Sequence, residues 1–143
     1  MSLQENPFLD DVMTYEATTR DIHIEVQSYY MHEESNVESS QFFWAYRIHI
    51  TNDSDQIIQL LDRHWHITNA RGMTEEVHGD GVIGEQPTLA PGDTYAYTSG
   101  CPLITSSGFM HGSFGMITLD GQKFDVKIPA FSLDSPHQDL FIN

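Results

Sequence analysis

The sequence predicts an all-β domain, an antiparallel β-sandwich of about seven or eight strands. Short segments alternate between apolar and polar residues; in one of them Ile22, Ile24 and Val26 alternate with polar neighbours. Turn-forming residues separate these segments at regular spacing, and no segment has a sustained helical period. A closed up-and-down barrel has the same local pattern, so that alternative stays open at this stage.

Each predicted strand rests on its own alternation. The strands are expected at residues 22–27, 44–51, 61–67, 75–78, 94–99, 110–119 and 123–131. Turn signals separate them at residues 52–55, 70–72, 90–93 and 120–121. Asp120-Gly121 lies between two alternating segments and is a strong hairpin signal. On the second strand, Trp44 and Tyr46 are predicted to face the core, with Phe43 on the opposite face.

The length of 143 residues predicts one folded domain. We place it at residues 19–134, between a loose acidic tail at residues 1–18 and a short tail at residues 135–143. Met13 is an alternative start, in which case residues 1–12 are an upstream extension. The first residues lack the basic and apolar parts of a signal peptide, and the single cysteine, Cys101, excludes an intrachain disulfide. Both features favour the cytoplasm.

The charge balance narrows the classes of partner. Lysine and arginine number 6 against 21 aspartates and glutamates, a net charge of −15. Such a surface repels phosphate backbones and anionic membranes, so no nucleic-acid or membrane partner is expected. No apolar segment approaches the roughly 18 residues of a membrane span. Solubility alone also accounts for the acidity.

Three glycines spell G-x-G-x-x-G, the fingerprint of a dinucleotide-binding turn: Gly79, Gly81 and Gly84. That turn needs a buried strand before it and a helix after it, because the helix N-terminus supplies the amide donors. The preceding residues are too polar for a buried strand, and Pro87 and Pro91 exclude a long helix afterwards. A glycine-shaped loop is therefore favoured, and phosphate or nucleotide binding stays as an alternative.

Two histidines have the spacing of metal ligands on a strand. His64 and His66 lie two residues apart and therefore project from the same face. Imidazoles in this arrangement suit zinc, cobalt or nickel, provided that a third ligand lies close by. The candidates for it are His49, Asp62, Glu76, His78 and His111. The competing interpretation is a solvated face with Trp65 in the core. No cofactor is expected, although an acidic surface predicts weak divalent-cation binding.

No catalytic constellation emerges, and we expect a protein that is not an enzyme. A reactive cysteine requires a helix N-terminus or a neighbouring cation, and neither is predicted beside Cys101. No serine occupies a G-x-S-x-G motif, and no pair of acidic residues is placed by spacing for glycosidase chemistry.

Longer motifs carry a resemblance to a known family. Arg63-His64-Trp65, then residues 76–87 with the three glycines, then Leu89-Ala90-Pro91-Gly92 are similar to the ApaG family. Residues 97–103, 108–112 and 128–133 continue the match in the same order, so that it spans about residues 22–133. The resemblance implies an immunoglobulin-like, fibronectin type III-like sandwich in which the glycines form a loop.

The resemblance also gives functional expectations. Bacterial members are associated with cobalt and magnesium homeostasis, and related domains in eukaryotic F-box and polymerase-interacting proteins resemble interaction modules. The favoured hypothesis is a bacterial, non-catalytic binding module with an unidentified protein partner; cation homeostasis is the alternative. Its surface would comprise Arg63, His64, Trp65, Gly79, Gly81 and Gly84. This hypothesis expects that Gly81→Val with His64→Ala leaves the fold intact. A dimer through a sheet edge stays open.

Overall fold

The computed structural model describes residues 12–137, which form nine strands and one short 3-10 turn. The strands are β1 (Tyr15–Thr19), β2 (Ile22–Tyr30), β3 (Phe42–Asn52), β4 (Ile58–Asn69), β5 (Thr74–Asp80), β6 (Thr88–Leu89), β7 (Thr94–Leu103), β8 (Gly108–Thr118) and β9 (Lys123–Leu133). The 3-10 turn is Val37–Ser39. Of the predicted tails at residues 1–18 and 135–143, residues 1–11 and 138–143 lie outside the described residues.

The strands form two antiparallel sheets. Sheet one has the order β1-β2-β3-β7, and sheet two has the order β5-β4-β8-β9, with β6 paired to the start of β4. The predicted β-sandwich is confirmed. Two strands were not predicted, β1 and the two-residue β6. Since Tyr15 pairs in register with Val26, β1 begins inside the segment that was predicted to be a loose tail.

The core lies between the sheets and takes one face of each. Sheet one contributes Trp44 and Tyr46, as the alternation predicts, while Phe43 faces the other way. The ring of Tyr46 lies 5.4 Å from that of Trp65 and 5.8 Å from that of Phe131, so aromatic side chains join the two sheets. Burial of this apolar surface is the main stabilising contribution to the fold.

The two lateral sides of the sandwich differ. On one side β1 and β2 pack against β9, where the hydroxyl of Ser28 donates to the carbonyl of Ser132 at 2.8 Å and Thr19 Oγ1 accepts from the amide of Lys127 at 3.2 Å. On the other side, among the described residues, β7 pairs only with β3 and β5 pairs only with β4. The backbone on their outer edges is thereby left available.

A β-bulge in β4 decides which of its residues face solvent. Leu60 pairs with Met116 and Asp62 with Gly115, so Leu61 is one residue in excess of the partner strand. Before the bulge Leu60 points into the core; after it the inward residue is Trp65. An extra residue exchanges the two faces of a strand. The bulge therefore turns His64 and His66 towards solvent.

Candidate functional site

Four imidazoles and a carboxylate meet on the outer face of sheet two. The register pairs His64 of β4 with His78 of β5, and pairs His66 with both Glu76 of β5 and His111 of β8. Directly opposed residues on one face of a sheet bring their side chains into contact. We call these five residues the histidine cluster.

Glu76 is the centre of the cluster. Its Oε1 lies 2.9 Å from Nε2 of His64, 3.7 Å from Nε2 of His66 and 3.8 Å from Nε2 of His78. The ring of His64 stacks on that of His78 with 3.8 Å between centroids, and the ring of His66 stacks on that of His111 at 4.7 Å. Stacking and the hydrogen bond to His64 hold the side chains in a defined arrangement.

The histidines alter the acidity of Glu76. The hydrogen bond from His64 is the main cause that lowers the pKa of Glu76 below its ordinary range, and the charge of His66 lowers it further. The carboxylate is solvent-exposed, so it stays ionised and accessible at neutral pH. An ionised carboxylate beside imidazoles is a donor set suited to divalent transition ions.

Five positions were candidates for the third ligand, and the structure shows which of them lie beside His64 and His66. It brings Glu76, His78 and His111 to the histidines of β4. His49 belongs to sheet one, where it pairs with Glu25 and Ala96. A smaller cluster, which sequence reasoning missed, joins His23 to Glu16 at 3.0 Å and to Glu25 at 3.5 Å across β1 and β2.

Residues 79–87 form the glycine loop, and three of its amides are already engaged in hydrogen bonds. The amide of Gly81 donates to the carbonyl of Leu61 at 2.8 Å, and Val82 and Glu85 exchange hydrogen bonds at 2.8 and 2.9 Å. Val82 is fully buried. The glycine loop leads into the two-residue β6, and no helix follows it. These three amides are therefore not available to a phosphate.

The side chain of Arg63 holds the glycine loop through hydrogen bonds to its backbone. Its Nη1 donates to the carbonyls of Asp80 at 3.1 Å and Gly81 at 2.9 Å. The guanidinium covers Gly79, where an added Cβ would lie 2.6 Å from Nη1. The arginine that was predicted to contact a partner thus binds the protein's own backbone.

Two other predicted surface residues are committed to the fold. Trp65 is 2% exposed and lies in the core, so it is not part of an outer surface. A Cβ at Gly81, where φ is +64°, would overlap the carbonyl oxygen of Glu85. The expectation that Gly81→Val leaves the fold intact is therefore wrong, since a β-branched residue meets both backbone strain and a collision there. Gly84 has φ of +82° and open space around it.

Cys101 lies within β7, where its thiol is buried and forms no disulfide. Burial is the main cause that raises the pKa of its thiol to about 12. Because the thiolate is the nucleophilic form, the thiol is inert near neutral pH.

A groove opens at the end of the sandwich where β5 begins and β7 ends. It encloses about 570 Å³, and we call it the end groove. Its apolar lining comes from both sheets and from two connections; it comprises Phe42, Phe43, Ile67, Met73, Pro102, Leu103 and Ile104. Glu34 and Glu75 lie at its margin. Sequence reasoning missed this groove because its residues come from five separate segments.

Fold and surface together define an antiparallel β-sandwich that carries a histidine cluster on one sheet and an apolar groove at one end. The model of the ApaG domain matches residues 32–118. Protein ApaG of Sinorhizobium fredii is 55% identical over 122 residues, which cover 85% of this chain and 94% of that protein. Protein ApaG of Beijerinckia indica is 52% identical over 129 residues, 90% of this chain and 99% of its own. This chain belongs to the ApaG family.

A solved structure agrees with this assignment. The crystal structure of the ApaA protein from Bordetella pertussis superposes with a TM-score of 0.80 at 39% identity, and the match covers 85% of this chain and 99% of that one. Among residues 12–137, no helix has the length and apolarity needed to cross a membrane.

Proposed function

We propose that the chain is a non-catalytic module that binds an extended protein segment along β7 and in the end groove. The observation that carries the proposal is the composition of β7. It is an outer strand of ten residues without a single charged side chain. Natural proteins protect an exposed edge with charges, prolines or bulges, and a strand without them is open to a partner strand. Of the charges and prolines, β7 has only Pro102 near its end, so the stretch from Thr94 to Cys101 is unprotected by either. An added strand would satisfy the outward backbone groups of β7.

The end groove supplies side-chain recognition at the end of that strand. Its volume of about 570 Å³ falls within the range of ligand pockets. Ile104 and Met73 lie together at the groove and are 51% and 50% exposed, so their apolar side chains are accessible to a partner. We infer that the bound segment inserts one or two large apolar side chains there.

Charge defines the rest of the partner. Glu34 and Glu75 border the end groove, and the chain carries a net charge of −15. A second copy of this chain would be repelled by the same charge, whereas a basic segment would be attracted. The partner is therefore an extended basic and apolar peptide. The burial of the Cys101 thiol makes it unsuited to nucleophilic catalysis, which supports the non-catalytic part of the proposal. We also propose a cytoplasmic location for the chain, which carries a single cysteine.

Selection of a random twelve-residue peptide library on the full chain tests this function. Enriched peptides should carry basic residues beside large apolar ones and shift the amide resonances of β7. Ile104→Lys should weaken their binding at least tenfold, while Leu119→Lys, an 80% exposed position outside the groove, serves as the matched control. Equal binding to both variants, absence of enrichment, or shifts confined to the glycine loop would overturn the proposal.

A further inference from the structure

We propose that His64, Glu76 and His78 bind a divalent transition ion, with Zn²⁺ as the representative ion and His66 as an adjacent fourth group. The site is independent of the peptide surface proposed above, because it lies on the outer face of sheet two and shares no residue with the end groove. Two nitrogen ligands and one oxygen ligand leave a position open for water, the composition of an open zinc site.

The ligand atoms are already close to the required geometry. The donor atoms of the three residues all lie within 4.8 Å of one another. Oε1 of Glu76 is 2.9 Å from Nε2 of His64 and 3.8 Å from Nε2 of His78. Tetrahedral bonds of about 2.0–2.1 Å place ligand atoms about 3.3–3.4 Å apart. The distances between ligand atoms therefore need to change by no more than about 1.5 Å, with the stacked rings splaying around the ion.

The backbone fixes the arrangement before any ion arrives. His64 and His78 are directly opposed in the pairing of β4 with β5, and Glu76 lies two residues before His78 on the same face. Ligands on paired strands lose less conformational freedom on binding than ligands on loops. His66 adds a nearby imidazole, whose Nδ1 is buried without a hydrogen-bond partner in the described structure. Its Nε2 lies 3.7 Å from Oε1 of Glu76, beside the position that is left open for water.

The surroundings attract cations. A shallow depression of about 470 Å³ begins at His64 and His78 and contains the carboxylates of Asp62, Asp80 and Asp125. Arg63 borders it, but its guanidinium is held by two backbone carbonyls of the glycine loop. Carboxylates around a recessed site raise the local concentration of cations.

The smaller cluster on β1 and β2 provides an internal comparison. His23 lies among two carboxylates, Glu16 and Glu25, and its Nδ1 is 2.7 Å from the hydroxyl of Thr18. One imidazole with two carboxylates is a harder donor set than two imidazoles with one carboxylate. It should bind Zn²⁺ more weakly, so it serves as a matched control on the same molecule.

Isothermal titration of the metal-free chain with Zn²⁺ at pH 7.5 tests the inference. We expect one ion per chain, with at least tenfold weaker binding in His64→Gln and in His78→Gln and unchanged binding in His23→Gln. Long-range ¹⁵N spectra should show the Nε2 resonances of His64 and His78 shifting together, and Mg²⁺ at equal concentration should not displace the ion.

Thermal unfolding of each variant without metal serves as the folding control, since both histidines are solvent-accessible and their replacement should preserve the fold. Three results would overturn the inference. They are the absence of saturable heat, several weak sites that persist in His64→Gln and His78→Gln, or a loss of binding in His23→Gln alone.

Discussion

Replacing Gly81 by alanine should destabilise the protein far more than the same change at Gly84. Both residues have positive φ, +64° and +82°. At Gly84 the new methyl group meets nothing within 4 Å, so the cost is the backbone strain of about 1 kcal/mol. At Gly81 the methyl group overlaps the carbonyl oxygen of Glu85, and the turn must open by about 1 Å to restore van der Waals contact.

Opening the turn would lengthen or break the two hydrogen bonds between Val82 and Glu85, which are 2.8 and 2.9 Å long. Loss of one buried hydrogen bond costs about 1–3 kcal/mol. Adding the strain of about 1 kcal/mol common to both variants, we expect a loss of about 2–4 kcal/mol for Gly81→Ala against about 1 kcal/mol for Gly84→Ala.

Guanidinium unfolding followed by tryptophan fluorescence measures both values by linear extrapolation. Equal losses in the two variants would refute the reasoning, because they would show that the turn yields without cost. The same variants bear on the phosphate alternative. If the loop amides are engaged as described, millimolar pyrophosphate should leave the unfolding midpoint of the native chain unchanged.

Three further predictions concern the core and the support of the glycine loop. The thiol of Cys101, with a pKa of about 12 against an ordinary 9.0, should not react with a thiol reagent at pH 8 until the chain unfolds. Because the unfolded chain loses this proton first, the thiol should lower stability by about 1.4 kcal/mol per pH unit above pH 9, a slope that Cys101→Ala removes. Trp44→Phe should lower the free energy of unfolding by about 1–3 kcal/mol more than Trp65→Phe, as measured by denaturant unfolding. The indole of Trp44 donates to the carbonyl of Asp134 at 2.7 Å, whereas the indole of Trp65 has no partner in the described structure. Arg63→Met should cost about 1–3 kcal/mol in the same assay, because two loop carbonyls lose their donor.

The fold was predictable because each long strand carries its own alternation of apolar and polar residues. The two strands that were missed lack that signal: β6 is two residues long, and β1 reads as Tyr-Glu-Ala-Thr-Thr beside an acidic segment. The pairing of β6 also depends on a distant neighbour, the start of β4, whereas β1 pairs with the adjacent β2.

The candidate site was predictable only in part. Spacing on one strand placed His64 and His66 on a common face, which the structure shows to be the outer one. The inclusion of Trp65 in the binding surface was wrong, because its side chain lies in the core. Selection of Glu76 and His78 from five candidates required the register between β4 and β5, which the sequence does not encode locally. The end groove required the positions of five segments at once, so no single stretch of sequence indicated it.

The bulge at Leu61 determines which residues of β4 face the core and which face solvent. Without the extra residue, the strand that points Leu60 inward would also point His64 inward and Trp65 outward. The same bulge places Arg63 on the inner side, where it reaches the carbonyls of the glycine loop. One inserted residue therefore buries the tryptophan, directs Arg63 to the loop and exposes the imidazoles to solvent. The Arg-His-Trp motif is best understood as three consecutive residues with three different physical roles.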